Sequence, residues 1–149
     1  MRTKTAVIVT MILLLFNVIL IFLVDLLTFK MIPGRAISGN GNPAFILWFI
    51  EIPAYVFLLL GICYIVNKEK YFTNRSIYYP LLFLLIIVAS VYLQYNHANH
   101  INSTNANLID EYGWINQYTN TIYINYYTFL MGIFTLLGLQ SLFQRIKKV

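Results

Sequence analysis

The chain has 149 residues, of which 60% are hydrophobic and 10% are charged, whereas a water-soluble domain carries about 25% charged residues. So little charge cannot cover a water-soluble globule, and the composition therefore predicts a protein that lies in a lipid bilayer. The net charge is +5, but the basic residues flank apolar runs, which favours membrane anchoring and argues against nucleic acid as a partner. The single cysteine, Cys63, excludes an intrachain disulfide.

Four apolar runs follow one another along the chain, at residues 6–29, 45–66, 77–95 and 122–143. Each is close to the ~20 residues that a helix needs to cross a bilayer. Backbone groups in lipid must be hydrogen-bonded internally, and continuous runs of this kind do not fit barrel strands. The predicted fold is all-α, an integral membrane four-helix bundle that forms one domain over residues 1–149.

The first run also has some features of a signal peptide, since Arg2 and Lys4 precede it. Its apolar stretch is much longer than the ~7–15 residues of a signal peptide, and no A-x-A cleavage site follows. The run is therefore predicted to be retained as a membrane span.

The basic residues predict the orientation of the bundle. Four crossings put both termini and the 67–76 loop on one side, which leaves the loops 30–44 and 96–121 on the other. The first side carries eight basic residues and the second carries two: Arg2, Lys4, Lys68, Lys70, Arg75, Arg145, Lys147 and Lys148 against Lys30 and Arg35. Because basic loops stay in the cytoplasm, both termini are predicted to be cytoplasmic.

The longer outer loop contains a segment with helical spacing. Leu108, Tyr112 and Ile115 fall at i, i+4 and i+7, which predicts a short amphipathic helix within residues 107–117, lying at the outer interface.

Tyrosine and tryptophan are concentrated near the ends of the spans, where their amphipathic rings favour the interface. A cluster of aromatic rings could also form a cage that binds a ligand. The residues are Trp48, Tyr92, Tyr95, Tyr112, Trp114, Tyr118 and Tyr123 on the outer side and Tyr64, Tyr71, Tyr78 and Tyr79 on the inner side.

The first span has a polar stripe. On a helical wheel Thr10 and Thr28 lie within about 20° of Asn17, and Asp25 lies about 80° away. This side of the helix should face protein. The stripe is explained either by interhelical hydrogen bonds or by a polar translocation path.

Glu51 is the most unusual residue of the second span. It lies about four residues, or roughly 6 Å, from the centre of that span. A charged acid at the centre of a bilayer costs about 2.5–3.5 kcal/mol, and acids that persist there often have a function. Pro53 removes a backbone donor nearby and is expected to bend the helix.

A carboxyl group at this depth needs a partner or a proton. Glu51 could pair with Lys30 or Arg35 reaching in from the outer loop, it could accept a hydrogen bond from Asn17 or Tyr55, or it could remain protonated. Glu51 could therefore have either a structural or a functional role.

Small residues recur at helical spacing on two spans. Thr128, Gly132 and Thr135 follow i, i+4, i+7 on the fourth span, and Ala54 and Gly61 are seven residues apart on the second. Small residues allow two helix backbones to approach closely. The partner helix could belong to this chain, to a second copy or to a larger membrane protein.

His97 and His100 would share one face if the third helix continued far enough. Together with Asp110 or Glu111 they could bind a metal ion or sense pH. Solvated histidines are the simpler interpretation, and no metal or cofactor is predicted.

Catalytic signatures such as GxSxG, HExxH and phosphate-binding glycine loops are absent from the sequence. The compact four-span build is similar to that of several small bacterial families, including flippase-like proteins for lipid-linked sugars, although no motif supports one of them. The residue usage, with many Asn, Ile, Tyr and Lys, suggests a low-GC bacterium.

The sequence therefore favours a non-enzymatic accessory, regulatory or immunity-type subunit of the bacterial plasma membrane. The alternative is a small transporter or flippase component with a polar path around Glu51, Asp25 and Asn17. A third hypothesis is an enzyme acting on lipid head groups through Asp110, Glu111 and the two histidines.

Overall fold

A computed structural model of the chain describes residues 3–31, 41–73 and 77–146. Over these ranges the structure contains helices and no strand, which confirms the all-α prediction. The helices are α1 (Thr3–Leu27), α2 (Pro43–Lys68), α3 (Tyr78–Thr104), α4 (Ala106–Tyr112), α5 (Asn120–Tyr123) and α6 (Tyr126–Ile146).

Four helical segments are long and apolar enough to cross a membrane: Thr3–Leu27, Pro43–Lys68, Tyr78–Thr104 and Asn120–Ile146, which combines α5 and α6. At most 28% of the most apolar stretch of any segment is buried within the protein. The remaining apolar surface has no protein cover, as expected where lipid is the solvent. The prediction of a multi-pass membrane protein with four membrane-spanning helices is confirmed.

The segment between the third and fourth apolar runs is more regular than a loop. α3 continues beyond residue 95 to Thr104, and α4 occupies part of the segment in which an amphipathic helix was predicted. Leu108 is buried, but Tyr112 is exposed, and Ile115 lies beyond the end of α4 and is also exposed. The helix ends early because the chain turns at Gly113, whose φ of +78° is readily adopted only by glycine.

The spanning helices form two closely packed pairs, α1 with α2 and α3 with α6, and the pairs meet where α2 packs against α6. Within the first pair, Gly61 lies directly against Thr10, so that a Cβ at Gly61 would come within 2.5 Å of the Thr10 hydroxyl. Ala54 on the same helix is also buried. These small residues of α2 let α1 approach within the same chain.

Hydrogen bonds join α2 to the fourth span, α5 and α6, at both ends. Where α2 begins, the amide groups of its N-cap Asn42 and of Asn120 in α5 bond reciprocally at 2.9 Å. Where α2 ends, Gln140 donates to the Cys63 sulfur at 3.1 Å and Gln144 donates to the Val66 carbonyl at 3.0 Å. Because residue numbers rise together on both helices, α2 and α6 run parallel. We call this contact the α2–α6 seam.

Candidate functional site

The fourth span is interrupted between α5 and α6. Ile124 has an extended backbone, with φ −117° and ψ 104°, and α6 begins anew at Tyr126. The Asn125 side-chain oxygen accepts hydrogen bonds from the N–H groups of Tyr127, at 2.7 Å, and Thr128, at 3.0 Å. In return, the Asn125 N–H donates to the Thr128 hydroxyl. This reciprocal cap supplies hydrogen-bond acceptors to backbone N–H groups in the first turn of a helix that begins inside the span.

A side-chain network from α3 holds the interruption in place. The Asn125 amide nitrogen donates to the Gln94 side-chain oxygen at 2.7 Å and to the Thr121 carbonyl at 2.6 Å. The Gln94 amide nitrogen donates to the Ile122 carbonyl at 2.6 Å. Carbonyls left without a partner by a broken helix are costly in lipid, and these two are satisfied by side chains.

A cleft of about 210 Å³ opens between α2 and the α5–α6 interruption. Its walls include Glu51, Asn125 and four aromatic side chains, which are those of Trp48, Tyr55, Tyr123 and Phe129. Glu51 is eight residues from the start of α2, or about 12 Å along the helix. In the register of the α2–α6 seam it lies level with Thr128 and Phe129, which also line the cleft. The acid therefore lies beside the first turn of α6, directly after the helix interruption.

Glu51 is only 5% exposed, yet over the described ranges no hydrogen bond or ion pair reaches its carboxyl group. Tyr55 donates instead to the Phe129 carbonyl at 2.8 Å, and Asn17 donates to the Leu13 carbonyl of its own helix at 2.7 Å. The structure thus brings Glu51 and Tyr55 to one cleft but does not join them by a hydrogen bond.

Of the two basic residues suggested as partners, only Lys30 lies within the described ranges. Lys30 is exposed and forms no ion pair with any residue in those ranges, and Arg35 lies outside them. Among the described residues that line the cleft, none is basic. No described residue would therefore compensate a carboxylate here, at a depth where charge costs about 2.5–3.5 kcal/mol.

The aromatic walls are built from two ring pairs. The rings of Trp48 and Tyr123 lie 5.4 Å apart between centroids at an interplanar angle of 62°. Those of Tyr55 and Phe129 lie 5.3 Å apart. The Trp48 indole nitrogen is buried and has no acceptor within the part of the chain that is described. The cleft thus offers one acid and several aromatic faces.

Only part of the polar stripe of α1 is buried in the structure. Asn17 is fully buried, and its side-chain oxygen has no partner among the described residues. Thr28 is buried and donates to the Val24 carbonyl of its own helix at 2.6 Å. Asp25, in contrast, is exposed. Asn17 and Glu51 therefore share the protein interior, whereas Asp25 does not.

No family model, no curated protein and no solved structure matches this chain. The function must therefore be argued from the geometry of the site.

The two histidines have different surroundings. A ring nitrogen of His97 lies 3.1 Å from the Thr121 carbonyl, and its ring packs edge-on against Tyr127. His100 is exposed. No group of three potential metal ligands occurs within residues 3–31, 41–73 and 77–146.

Two further acids, Asp110 and Glu111, are exposed on α4. Glu111 interacts with the neighbouring Tyr112, and the hydrogen bond between them raises the pKa of Tyr112. These acids contribute neither to the cleft at Glu51 nor to a shared site with His97.

Sequence reasoning missed the residues that build the site around Glu51. Gln94 and Asn125 were not identified as candidates, although Asn125, three residues before Thr128, has the spacing of a helix cap. Trp48 and Tyr123 were assigned to the interfacial belt or to a ligand cage. The structure places both of them in the wall of the cleft.

Proposed function

We propose that the protein lies in the plasma membrane of a bacterium with both termini in the cytoplasm. The support is the distribution of basic residues described above, eight on one side against two on the other. A reporter active only in the cytoplasm should be active when fused after Val149 and inactive when inserted after Asn107, between α3 and the turn at Gly113. The reverse pattern would contradict this orientation.

We propose further that the protein is a small transporter component that binds its solute in the cleft at Glu51. The observation that carries this proposal is a buried acid that has no partner among the described residues and lies beside the first turn of a helix that restarts within the span. Ionisable residues inside membrane proteins commonly mark solute or proton paths, and interrupted helices commonly form the binding sites of transporters.

The accessory role favoured by the sequence rests on missing catalytic motifs and on small-residue faces. One of those faces is already occupied, because Tyr55 of the same chain covers Gly132. A purely structural acid would also be expected to have a hydrogen-bonding partner. Association of this face, at Thr128 and Thr135, with a second copy of the chain or with a larger membrane protein remains a separate proposal.

The transport proposal is tested in proteoliposomes that contain a trapped pH-sensitive dye. A neutral sugar, a zwitterionic amino acid, an organic anion and tetraethylammonium are added in turn across an imposed pH gradient. We expect at least one solute to change the internal pH, and we expect Glu51→Gln to abolish that response because glutamine cannot exchange a proton.

Asp25→Asn is the matched control, because it removes an exposed acid of the neighbouring helix. It should retain the wild-type response. Thermal unfolding of both variants in detergent shows whether each is folded. A wild-type response to none of the solutes, or an equal response in Glu51→Gln, would rule out the transporter function.

A further inference from the structure

We propose that the cleft at Glu51 binds a small organic ammonium ion in exchange for a proton. This inference rests on the transporter function proposed above and specifies its substrate class. It combines three features of the cleft: the sign of its only charge, the aromatic character of its walls and its size.

The charge of the cleft favours a cation. Among the described residues that line the cleft, Glu51 is the only acid and none is basic. Glu51 as a whole residue is 5% exposed, and its carboxyl group receives no hydrogen bond within the described ranges. A bound positive charge would compensate the carboxylate directly, whereas an anion would be repelled by it.

The walls favour an organic cation. Trp48, Glu51 and Tyr55 fall at i, i+3 and i+7, so that α2 presents the acid between two aromatic rings on one face. Tyr123 and Phe129 extend these walls from the other side of the cleft. Ammonium groups bind to aromatic faces when they lie within about 6 Å of the ring centre.

A metal ion fits this cleft less well. Ca²⁺ takes about 6–8 oxygen ligands and Mg²⁺ keeps several waters, but the lining offers one carboxyl group. The Asn125 side-chain oxygen is already used in capping α6. Hydrated ions are also poorly matched to a wall made largely of aromatic rings.

The size of the cleft limits the ligand. One water molecule needs about 10–15 Å³ of comparable space, and the cleft of about 210 Å³ is many times larger. Pockets for drug-sized ligands are larger still, at about 300–1,000 Å³. The volume therefore suits an ammonium ion with short alkyl substituents.

The exchange balances in charge and atoms. Protonated Glu51 releases H⁺ to water as the ammonium ion binds, and the product is an ion pair between the Glu51 carboxylate and the ligand. The other titratable groups at the cleft are the phenols of Tyr55 and Tyr123. From neighbouring elements, Asp25 of α1 is exposed and His97 of α3 is directed at the Thr121 carbonyl.

The inference is tested by calorimetric titration of the purified protein in detergent with tetraethylammonium at pH 6, 7 and 8. We expect the affinity to rise up to about tenfold per pH unit while Glu51 is protonated in the free protein, because one proton leaves as each cation binds. Repeating the titration in buffers of different ionisation enthalpy counts the released protons.

Three variants assign the effect to the cleft. Glu51→Gln should lose the pH dependence and at least thirtyfold in affinity, and Trp48→Leu should lose about fivefold or more while keeping the pH dependence. Phe49→Leu should bind as the wild type, because Phe49 is 71% exposed on another face of α2. Unchanged thermal midpoints show that the losses are not due to unfolding.

Absence of tetraethylammonium binding, binding without proton release, or wild-type binding by Glu51→Gln would overturn the inference. If the proteoliposomes respond to a sugar, an amino acid or an anion in a Glu51-dependent way, the ammonium assignment fails but the transporter function stands. If they respond to no solute, the transporter function itself fails.

Discussion

Asn125→Ala is expected to lower the free energy of unfolding by about 2–3 kcal/mol. The variant loses the side-chain cap of α6, worth about 1 kcal/mol. It also loses the interhelical bond to Gln94 and leaves the Thr121 carbonyl with one donor fewer, and such bonds in membranes contribute about 0.6–1.7 kcal/mol each. Thermal unfolding followed with a thiol-reactive dye can measure the effect, because Cys63 is the only thiol.

Asn96→Ala is the control for this prediction. Asn96 is an exposed residue of α3, near Gln94 in sequence, and its side chain forms no hydrogen bond within the described ranges. Its replacement should change stability by no more than about 0.5 kcal/mol. Equal stability of the two variants would mean that the network at the α5–α6 interruption does not stabilise the fold.

Gly132→Ala is expected to disrupt the α2–α6 seam. A Cβ at Gly132 would overlap the Tyr55 hydroxyl and crowd its ring, while that hydroxyl is held by the Phe129 carbonyl. Added volume in a packed interior costs about 1–3 kcal/mol. Because Tyr55 also lines the cleft, the variant should weaken solute binding as well as lower the thermal midpoint.

Gly138→Ala provides a matched comparison on the same helix. There the added Cβ would lie 3.8 Å from the Phe83 Cβ, an ordinary contact. Both variants gain up to about 1 kcal/mol of helix propensity, so that the difference between them isolates the contact with Tyr55. Combining Gly132→Ala with Tyr55→Phe should recover part of the loss. A Gly132→Ala variant as stable as Gly138→Ala would show that Tyr55 moves aside freely.

The four membrane-spanning helices could be predicted because each is encoded by a continuous local run of apolar residues. The burial of Glu51 followed from its position within such a run. The interruption at Ile124 could not be predicted in this way, since isoleucine is apolar and carries no signal for a break. The bonds between Asn42 and Asn120 and between Gln144 and Val66 join residues that are 78 positions apart, and no local pattern reports such pairs.

The acid at position 51 could be recognised as unusual from the sequence, but its surroundings could not. Trp48 and Tyr55 flank Glu51 along one helical face, whereas Tyr123 and Phe129 come from a part of the chain about 75 residues away. Their convergence depends on the parallel packing of α2 and α6. That packing is a property of the tertiary arrangement.

The parallel α2–α6 seam has a consequence for biogenesis. Neighbouring helices of a nascent chain can pair as soon as both have entered the bilayer, which here applies to the α1–α2 hairpin. The seam, in contrast, must wait until the ribosome has also synthesised α3, α4, α5 and α6. During that interval α2 carries its acid with no opposite wall, and the cleft forms only when α5 and α6 have entered the bilayer.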